Sequence, residues 1–408
     1  GESYVVFGGA GVGASGLVDV ASLDGSNGFA LIGIDLSDQS GRAVTGGLDL
    51  NGDGAADLVT GALFGDPGGR TSAGETFVVF GGSGVGASGA VQLDSLSGAD
   101  GFVLNGVALQ DQSARSVASA GDVNGDGIDD LIVGADQADV GAEANAGTSY
   151  VVFGSALPFA ASVELSALDG TNGFAISGIA SGDLSGIAVA GAGDVNGDGF
   201  SDLVIGAERA DPGGQSDAGE AYVVFGGADP APAGILDLAL LDGAKGFVVP
   251  GPAAFARLGA SVAAAGDVDQ DGFDDVIIGA TAAVTNIFAT GAAYVLLGDP
   301  AMGASGSIDV TALDGYDGFV VAGIDSSDFA GASVAHAGDL NGDGVDDFAV
   351  GAIGADPNGN SSGEVYVILG RPCDACLPDP APEPGVLTGL LTGVLLLSRL
   401  PRRGTRAR

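Results

Sequence analysis

A nine-residue acidic segment recurs five times at almost constant spacing, and this period limits what the chain can fold into. The segments begin at Asp49, Asp122, Asp194, Asp267 and Asp339, which are 73, 72, 73 and 72 residues apart. A fixed period is typical of proteins in which one structural unit packs against its own copies. For a chain of 408 residues, the period therefore predicts one repeat array and not two or three unrelated domains.

Each acidic segment carries oxygen side chains at positions 1, 3, 5 and 9. Hard oxygen donors crowded into one tight turn suit Ca²⁺, which takes about six to eight oxygen ligands. Mg²⁺ prefers a stricter octahedron and retains its waters, and Zn²⁺ prefers His or thiolate ligands, which the segments lack. The sequence predicts about five calcium sites, with these ligands: Asp49, Asn51, Asp53, Asp57; Asp122, Asn124, Asp126, Asp130; Asp194, Asn196, Asp198, Asp202; Asp267, Asp269, Asp271, Asp275; Asp339, Asn341, Asp343, Asp347.

Two other interpretations of these segments fit less well. A solvated turn needs a glycine and one aspartate but not four spaced oxygens, and all five copies keep all four. An EF-hand needs a Glu at position 12 and flanking helices. Position 12 is apolar or Thr here (Thr60, Val133, Ile205, Ile278, Val350), and each segment continues into an apolar, β-branched run.

Each period contains four strand signals. A short strand precedes the acidic segment, as at Ser116, and a second follows it and ends in Gly-Ala, as at Ala135. A third resembles Tyr150 to Gly154 and occurs six times, and a fourth begins at a Gly-Phe pair such as Phe102. Nearly continuous apolar character in the second and third strands is typical of sheets buried on both faces. We therefore predict an all-β fold, a β-propeller of four-stranded blades, with an open β-solenoid as the alternative.

The charge of the chain is strongly negative. The formal net charge is −41, and five of the 12 basic residues lie in the last ten positions. The remainder carries 53 acids and 7 bases, a net charge of −46. A field of this sign repels nucleic acid and anionic membranes, so nucleic acid is not a predicted partner.

These residues together resemble a known family. The segments Val152 to Gly154, Ile132 to Ala135 and Asp122 to Asp130 resemble FG-GAP repeats of the integrin α-subunit β-propeller and its bacterial relatives. The resemblance covers about residues 1–370 and implies a propeller, usually of about seven blades, with calcium in loops that join the first two strands of several blades. This chain differs in its longer repeats, in lacking the Pro of Gly-Ala-Pro, and in showing five full repeats.

The C-terminal part has a different composition. Residues 371–384 form a proline-rich linker, and residues 385–408 combine an apolar run, predicted as a short hydrophobic helix, with a cluster of arginines. This arrangement after Pro382 to Pro384 resembles the PEP-CTERM sorting signals of Gram-negative bacteria, which implies transient membrane contact and processing by an exosortase. The alternative is a plain membrane anchor, for which the run is short. Cys373 and Cys376 are more consistent with a disulfide formed after export than with a zinc or redox site.

No catalytic set is evident in the sequence. His336 is the only histidine, and we interpret it as a surface or packing residue. The acid pair Asp129 and Asp130 resembles a glycosidase pair, but its recurrence in other repeats favours metal binding and loop structure.

The functional expectation is a non-enzymatic, exported binding protein at the cell surface or in the extracellular matrix. Its predicted partner is an unidentified protein or polysaccharide. The alternative is the accessory propeller of an extracellular hydrolase. The segment Gly1 to Gly8 resembles Gly219 to Gly226, which indicates that the chain starts in mid-repeat. We therefore interpret it as a fragment or a processed chain. In the hydrolase alternative, the catalytic domain would precede Gly1.

Overall fold

The computed structural model of the chain describes residues 1–284 and 289–371. These residues form an all-β structure of 24 strands in six sheets. The helices found among them are single 3₁₀ turns, at Val20–Ser22, Pro67–Gly69, Leu93–Ser95, Leu165–Ala167, Pro212–Gly214 and Leu238–Leu240. The predicted all-β class is therefore confirmed.

The sheets follow one another along the chain, and we number them 1 to 6. Sheet 1 contains β1 (Glu2–Val6), β2 (Gly28–Ile32) and β6 (Ala90–Gln92). Sheet 2 contains β3 (Ser40–Gly46), β4 (Leu58–Ala62), β5 (Glu75–Val79), β7 (Gly101–Asn105) and β11 (Ser162–Glu164). Sheet 3 contains β8 (Ser116–Gly121), β9 (Asp130–Ala135), β10 (Thr148–Val152), β12 (Gly173–Ser177) and β16 (Ile235–Asp237).

The remaining three sheets repeat this plan. Sheet 4 contains β13 (Ala188–Gly193), β14 (Asp202–Ala207), β15 (Glu220–Val224) and β17 (Gly246–Pro250). Sheet 5 contains β18 (Leu258–Gly266), β19 (Asp275–Ala280), β20 (Ala292–Leu296) and β21 (Gly318–Ala322). Sheet 6 contains β22 (Ala330–Gly338), β23 (Asp347–Ala352) and β24 (Glu364–Ile368).

Each full sheet is an antiparallel meander of the four predicted strands in chain order. In sheet 3, Tyr150 on the third strand lies between Val133 on the second and Ala175 on the fourth. Three sheets also receive a short parallel strand, β6, β11 or β16, from the following repeat. Neighbouring repeats are thereby joined through backbone hydrogen bonds as well as through side chains.

The hydrophobic cores lie between consecutive sheets. One core joins Val78 and Phe102 of sheet 2 to Leu131 and Tyr150 of sheet 3, and equivalent cores lie at the other four sheet-to-sheet contacts. A central strand such as β9 therefore contributes alternate residues to two cores, which is why every residue from Asp130 to Ala135 is buried. The prediction that the sheets are buried on both faces is confirmed for the interior of the stack.

The strands are distributed differently from the predicted five full repeats. Five periods are present, but only sheets 2 to 5 contain all four strands, because sheet 1 has the third and fourth and sheet 6 the first three. The stacking of blade-like sheets agrees with a propeller architecture, but a closed ring is not evident in the described residues. The predicted linker beyond Arg371 and the tail at 385–408 lie outside them. Across residues 1–284 and 289–371, no helix is long and apolar enough to span a membrane.

Candidate metal centres

The five acidic loops lie at equivalent places, where each joins the first strand of its sheet to the second, in sheets 2 to 6. The first aspartate closes each loop. In the second loop, the Asp122 carboxylate accepts hydrogen bonds from the backbone amides of Gly125 (2.7 Å), Asp126 (3.0 Å) and Gly127 (2.8 Å). The Oδ1 of Asn124 accepts a further bond from the Asp126 amide at 2.8 Å. The loop thus turns its polar side chains toward its own centre.

The ninth residue connects the loop to the rest of its sheet. Asp130 is fully buried, and its Oδ2 accepts from the Val123 amide at 2.9 Å while its Oδ1 accepts from the Gly154 amide at 2.8 Å. Gly154 follows the third strand, so this carboxylate links the acidic loop to the neighbouring strand end. The same pair of bonds is made by the ninth residue of every other loop, namely Asp57, Asp202, Asp275 and Asp347.

Burial disfavours the ionised form of Asp130, Asp202 and Asp275. It raises the pKa of Asp130 and of Asp202 to about 7 and that of Asp275 to about 8. Hydrogen bonds from the backbone amides oppose the effect, and the other carboxylates of the same loop add to it. An ionised carboxylate in such a place is favoured by an opposite charge close by, such as a cation in the loop.

The fourth loop differs in composition from the others. It has Asp269 where they have Asn, and Gln270 at a positive φ of 61° where they have Gly. Carboxylate oxygens of Asp267, Asp269 and Asp275 lie within 4.8 Å of one another. Burial and the charge of Asp271 raise the pKa of Asp269 to about 6. Carboxylates held this close repel one another unless they are protonated or share a cation.

The types of donor in the acidic loops fit a calcium ion better than other metals. The first, third, fifth and ninth side chains of each loop are all oxygen donors. Among the described residues, carboxylates gathered closely enough to share an ion are found in the fourth loop, at Asp267, Asp269 and Asp275 but without Asp271. Asp122 Oδ1 accepts two backbone hydrogen bonds, but Asp122 Oδ2 and each oxygen of Asp130 accept one and retain a second lone pair, so both residues can still coordinate an ion. Residues at positions 1, 3, 5 and 9 would hold the ion, and the ion would supply charge neutralisation and cross-linking within the loop.

The eighth residue links one loop to the next, a role that the sequence analysis missed. The amide of Asp49 donates to Asp129 Oδ2 at 2.8 Å, and Asp129 belongs to the following loop. The amide of Asp194 donates in the same way to Asp274 at 2.8 Å, and that of Asp267 to Asp346 at 3.2 Å. The available signal was the Asp-Asp doublet at positions 8 and 9, which occurs in the second, fourth and fifth loops.

Two further features border the loops. His336 lies on β22, half exposed, with its Nε2 3.2 Å from Asp346 Oδ1, in agreement with a surface role. A cleft of about 360 Å³ adjoins the first loop and is lined by Asn51, Asp53 and residues 79–86.

Comparison with known proteins identifies the repeats. The model of the FG-GAP repeat matches residues 40–79, 113–152, 185–224, 258–296 and 330–368. Each match begins just before or at the first strand of a sheet and ends at its third, with the acidic loop in the middle.

Two integrin chains are similar to part of this sequence. Integrin alpha-5 of Xenopus laevis is 32% identical over 167 residues, which is 40% of this chain and 14% of the integrin. Integrin alpha-IIb of Mus musculus is 32% identical over 185 residues, 43% of this chain and 16% of the integrin. The match thus covers only a small part of those relatives. This chain thus contains five FG-GAP repeats, and part of it is similar to integrin alpha chains.

Proposed function

We propose that this chain is a calcium-binding adhesion module that acts outside the cell and is not an enzyme. The observation that carries the proposal is the cluster of carboxylate oxygens at Asp267, Asp269 and Asp275 in the fourth loop, and the same oxygen positions recur in the sequence of the other four loops. The similarity to integrin α-subunits supports a role in binding, with a protein or a polysaccharide as the partner.

In this proposal, calcium stiffens the loop end of each sheet. A bound ion neutralises the carboxylates at positions 1, 5 and 9, whose mutual repulsion otherwise opens the loop. The ninth aspartate accepts a hydrogen bond from Gly154 or its equivalent, so a more rigid loop also fixes the adjacent strand end. Five divalent ions also remove about ten units of negative charge from a chain with a formal net charge of −41.

The direct test is the calcium content of the purified chain. Protein is equilibrated with calcium, freed of excess ion by dialysis and measured by elemental analysis against protein concentration. We expect about five ions per chain, and one fewer in Asp126→Ala, because Asp126 lies within the second loop. Asp94→Ala is the matched control, since Asp94 is an exposed aspartate outside the loops, and it should keep the wild-type content. A content near zero, or equal losses in both variants, would contradict the proposal.

The proposed location has its own test. The exported form is expected from the resemblance of residues 382–408 to a sorting signal. Antibodies raised against the chain should label intact producing cells or their surrounding matrix, and external protease should remove the label. Protection of the protein until the cells are lysed would contradict an extracellular role.

A further inference from the structure

Eight asparagines of this chain are followed by a glycine, and one of these pairs differs from the other seven in its hydrogen bonding. Asparagine is thermally labile, and most so before glycine, which has no side chain to hinder the approach of its backbone nitrogen to the asparagine Cγ. The asparagine side chain must be able to turn toward that nitrogen before the reaction starts. The eight residues are Asn27, Asn51, Asn105, Asn124, Asn172, Asn196, Asn341 and Asn358.

Four of these asparagines lie in the acidic loops, where hydrogen bonds hold them. Their Oδ1 accepts from the backbone amide two residues later, at 2.8 or 2.9 Å, in Asn51, Asn124, Asn196 and Asn341. In three of the four pairs the glycine amide also donates to the first aspartate of the loop, at Gly125, Gly197 and Gly342. In the remaining pair, Asn51 Nδ2 makes the second bond, to Asp53 Oδ2 at 3.2 Å.

Three more asparagines are held outside the acidic loops. The side chains of Asn27 and Asn172 each make two hydrogen bonds to the backbone of their own turn. The Nδ2 of Asn105 donates to Ser162 Oγ at 2.8 Å and to Glu164 Oε1 at 2.6 Å. Each of the seven pairs is therefore fixed by at least two hydrogen bonds, and in these last three the bonds do not depend on a bound metal.

Asn358 is the exception. It lies in the exposed loop between β23 and β24, at the end of sheet 6 opposite the acidic loop. Among the described residues, neither its side chain nor the amide of Gly359 makes a hydrogen bond, and its own amide donates to Ser362 Oγ at 3.3 Å. A Cβ on Gly359 would meet no atom within 4 Å, so the side chain of Asn358 has room to turn.

The exposure of this loop does not depend on the position of sheet 6 in the stack. Gly68 of sheet 2 and Gly213 of sheet 4 stand where Asn358 does, directly after an Asp-Pro pair in the loop between the second and third strands. Both are exposed, although a further sheet packs next to each of these sheets. The exposure is therefore a property of this loop itself.

We propose that Asn358 is a site of spontaneous deamidation. The backbone nitrogen of Gly359 attacks Cγ of Asn358, a C–N bond forms, and the Cγ–Nδ2 bond breaks. The side-chain nitrogen leaves as ammonia and takes the proton from the glycine nitrogen. Water then adds to either carbonyl of the resulting cyclic imide, which opens to aspartate or to isoaspartate without oxidation or reduction. The product adds a second carboxylate to the loop that already contains Asp356.

Peptide mapping by mass spectrometry of the folded, full chain tests this assignment. The protein is aged in calcium-containing buffer prepared with oxygen-labelled water, so that each deamidated site carries the label, and circular dichroism verifies that it stays folded. Two hydrogen bonds that must break should slow the reaction at least about tenfold. Asn358 should therefore react at least about tenfold faster than Asn27, Asn105 and Asn172. In urea, where these bonds are lost, all eight pairs should react at similar rates.

Two further observations make the assignment specific. Asn358→Gln is the control variant, and it should abolish the reaction at this position while the other pairs behave as in wild type. Asn360 is the neighbouring comparison, because the amide of the residue after it, Ser361, donates to Asp356 Oδ1. An Asn358 amide that persists in the folded chain as long as those of Asn27 and Asn172, or faster loss at Asn360 than at Asn358, would overturn the proposal.

Discussion

Asp130 is fully buried at the end of the second acidic loop, and each of its carboxylate oxygens accepts a backbone hydrogen bond. Asp126, in the same loop, is exposed and accepts from the Ile128 amide at 3.0 Å. Both are proposed calcium ligands, but of the two only Asp130 also connects the loop to a strand end. Substitutions at these two residues therefore distinguish the stability that the loop structure provides from the stability that depends on bound metal.

Asp130→Ala should destabilise the protein even without calcium. The substitution leaves the Val123 and Gly154 amides buried and unpaired, which costs about 2 to 5 kcal/mol in all. Asp126→Ala should change the metal-free protein far less, while both variants lose one calcium ion. Urea unfolding in EGTA and in calcium provides the comparison. Equal stability of the two metal-free variants would contradict the role assigned to Asp130.

The buried ninth aspartates predict a pH dependence for the metal-free protein. Burial raises the pKa of Asp202 to about 7 and that of Asp275 to about 8, above the value near 4 in an unfolded chain. The native state therefore binds these protons more tightly, and the associated stability is complete below about pH 4 and lost as the pH rises through about 7 to 8. In EGTA, the free energy of unfolding should fall between roughly pH 5 and 8.

Calcium should remove this fall, because a bound cation favours the ionised carboxylates. Asp275→Asn should flatten the metal-free profile, since an amide does not titrate in this range. Unfolding curves at several pH values, with EGTA and with calcium, measure both effects. If the free energy of unfolding of the metal-free protein rises between roughly pH 5 and 8, these groups are not protonated in the native state.

At the scale of strands and loops, the period made most of the structure predictable. Four strand signals per period and the position of the acidic loop between the first two follow from residues such as Phe102, Tyr150 and Asp122, and the structure has these elements where the sequence indicates them. The short parallel strands at Ala90, Ser162 and Ile235 were not predicted, because three residues carry too weak an alternation pattern.

Contacts between repeats were also beyond the sequence analysis. Position 8 contains Asp129, Asp274 and Asp346 in three loops but Ala56 and Ser201 in the other two. Its bond to the preceding loop depends on how neighbouring sheets are placed, which local sequence does not determine. The prediction of the number of complete sheets was wrong for a related reason. The repeat period shows how many strands of each kind the chain contains, but it does not show which strands pair in one sheet.

The link through Asp129 predicts that neighbouring loops are coupled. Asp129 is not a proposed ligand, yet it accepts the amide hydrogen of Asp49, the first ligand of the preceding loop. Asp129→Ala should leave the calcium content at the wild-type value but weaken one or two sites several-fold, because the first loop loses a charge-assisted hydrogen bond. Calorimetric titration with calcium resolves the weakened sites. Unchanged affinity at every site would show that the loops are independent.

At the scale of the whole molecule, the tail gives a prediction about processing. The run from Gly385 to Leu400 would span about 24 Å as a helix, less than the roughly 30 Å hydrocarbon core of a bilayer. Transient retention in the membrane, with the arginines on the cytoplasmic side, needs a shorter apolar segment than permanent anchoring does. We therefore expect the mature protein to end near Pro384. Intact-mass analysis of native protein measures this, and a chain that still carries Arg402 to Arg408 would favour a membrane anchor.

Calcium is expected to stabilise the stack of sheets as a unit. An ion that binds only the native state adds about 2.7 kcal/mol per site when its concentration is 100 times Kd. Several sites of this kind should produce a large change in the unfolding temperature. Because consecutive sheets share hydrophobic cores, we expect loosening of one loop end to destabilise the neighbouring sheets as well.

The most direct measurement of this stabilisation is thermal unfolding of the chain, first shown by elemental analysis to contain calcium, before and after addition of excess EGTA. We predict a clear fall in the melting temperature with EGTA and its recovery when calcium is restored in excess. A melting curve that EGTA leaves unchanged would contradict the assignment of the acidic loops as calcium sites that hold the sheets in place.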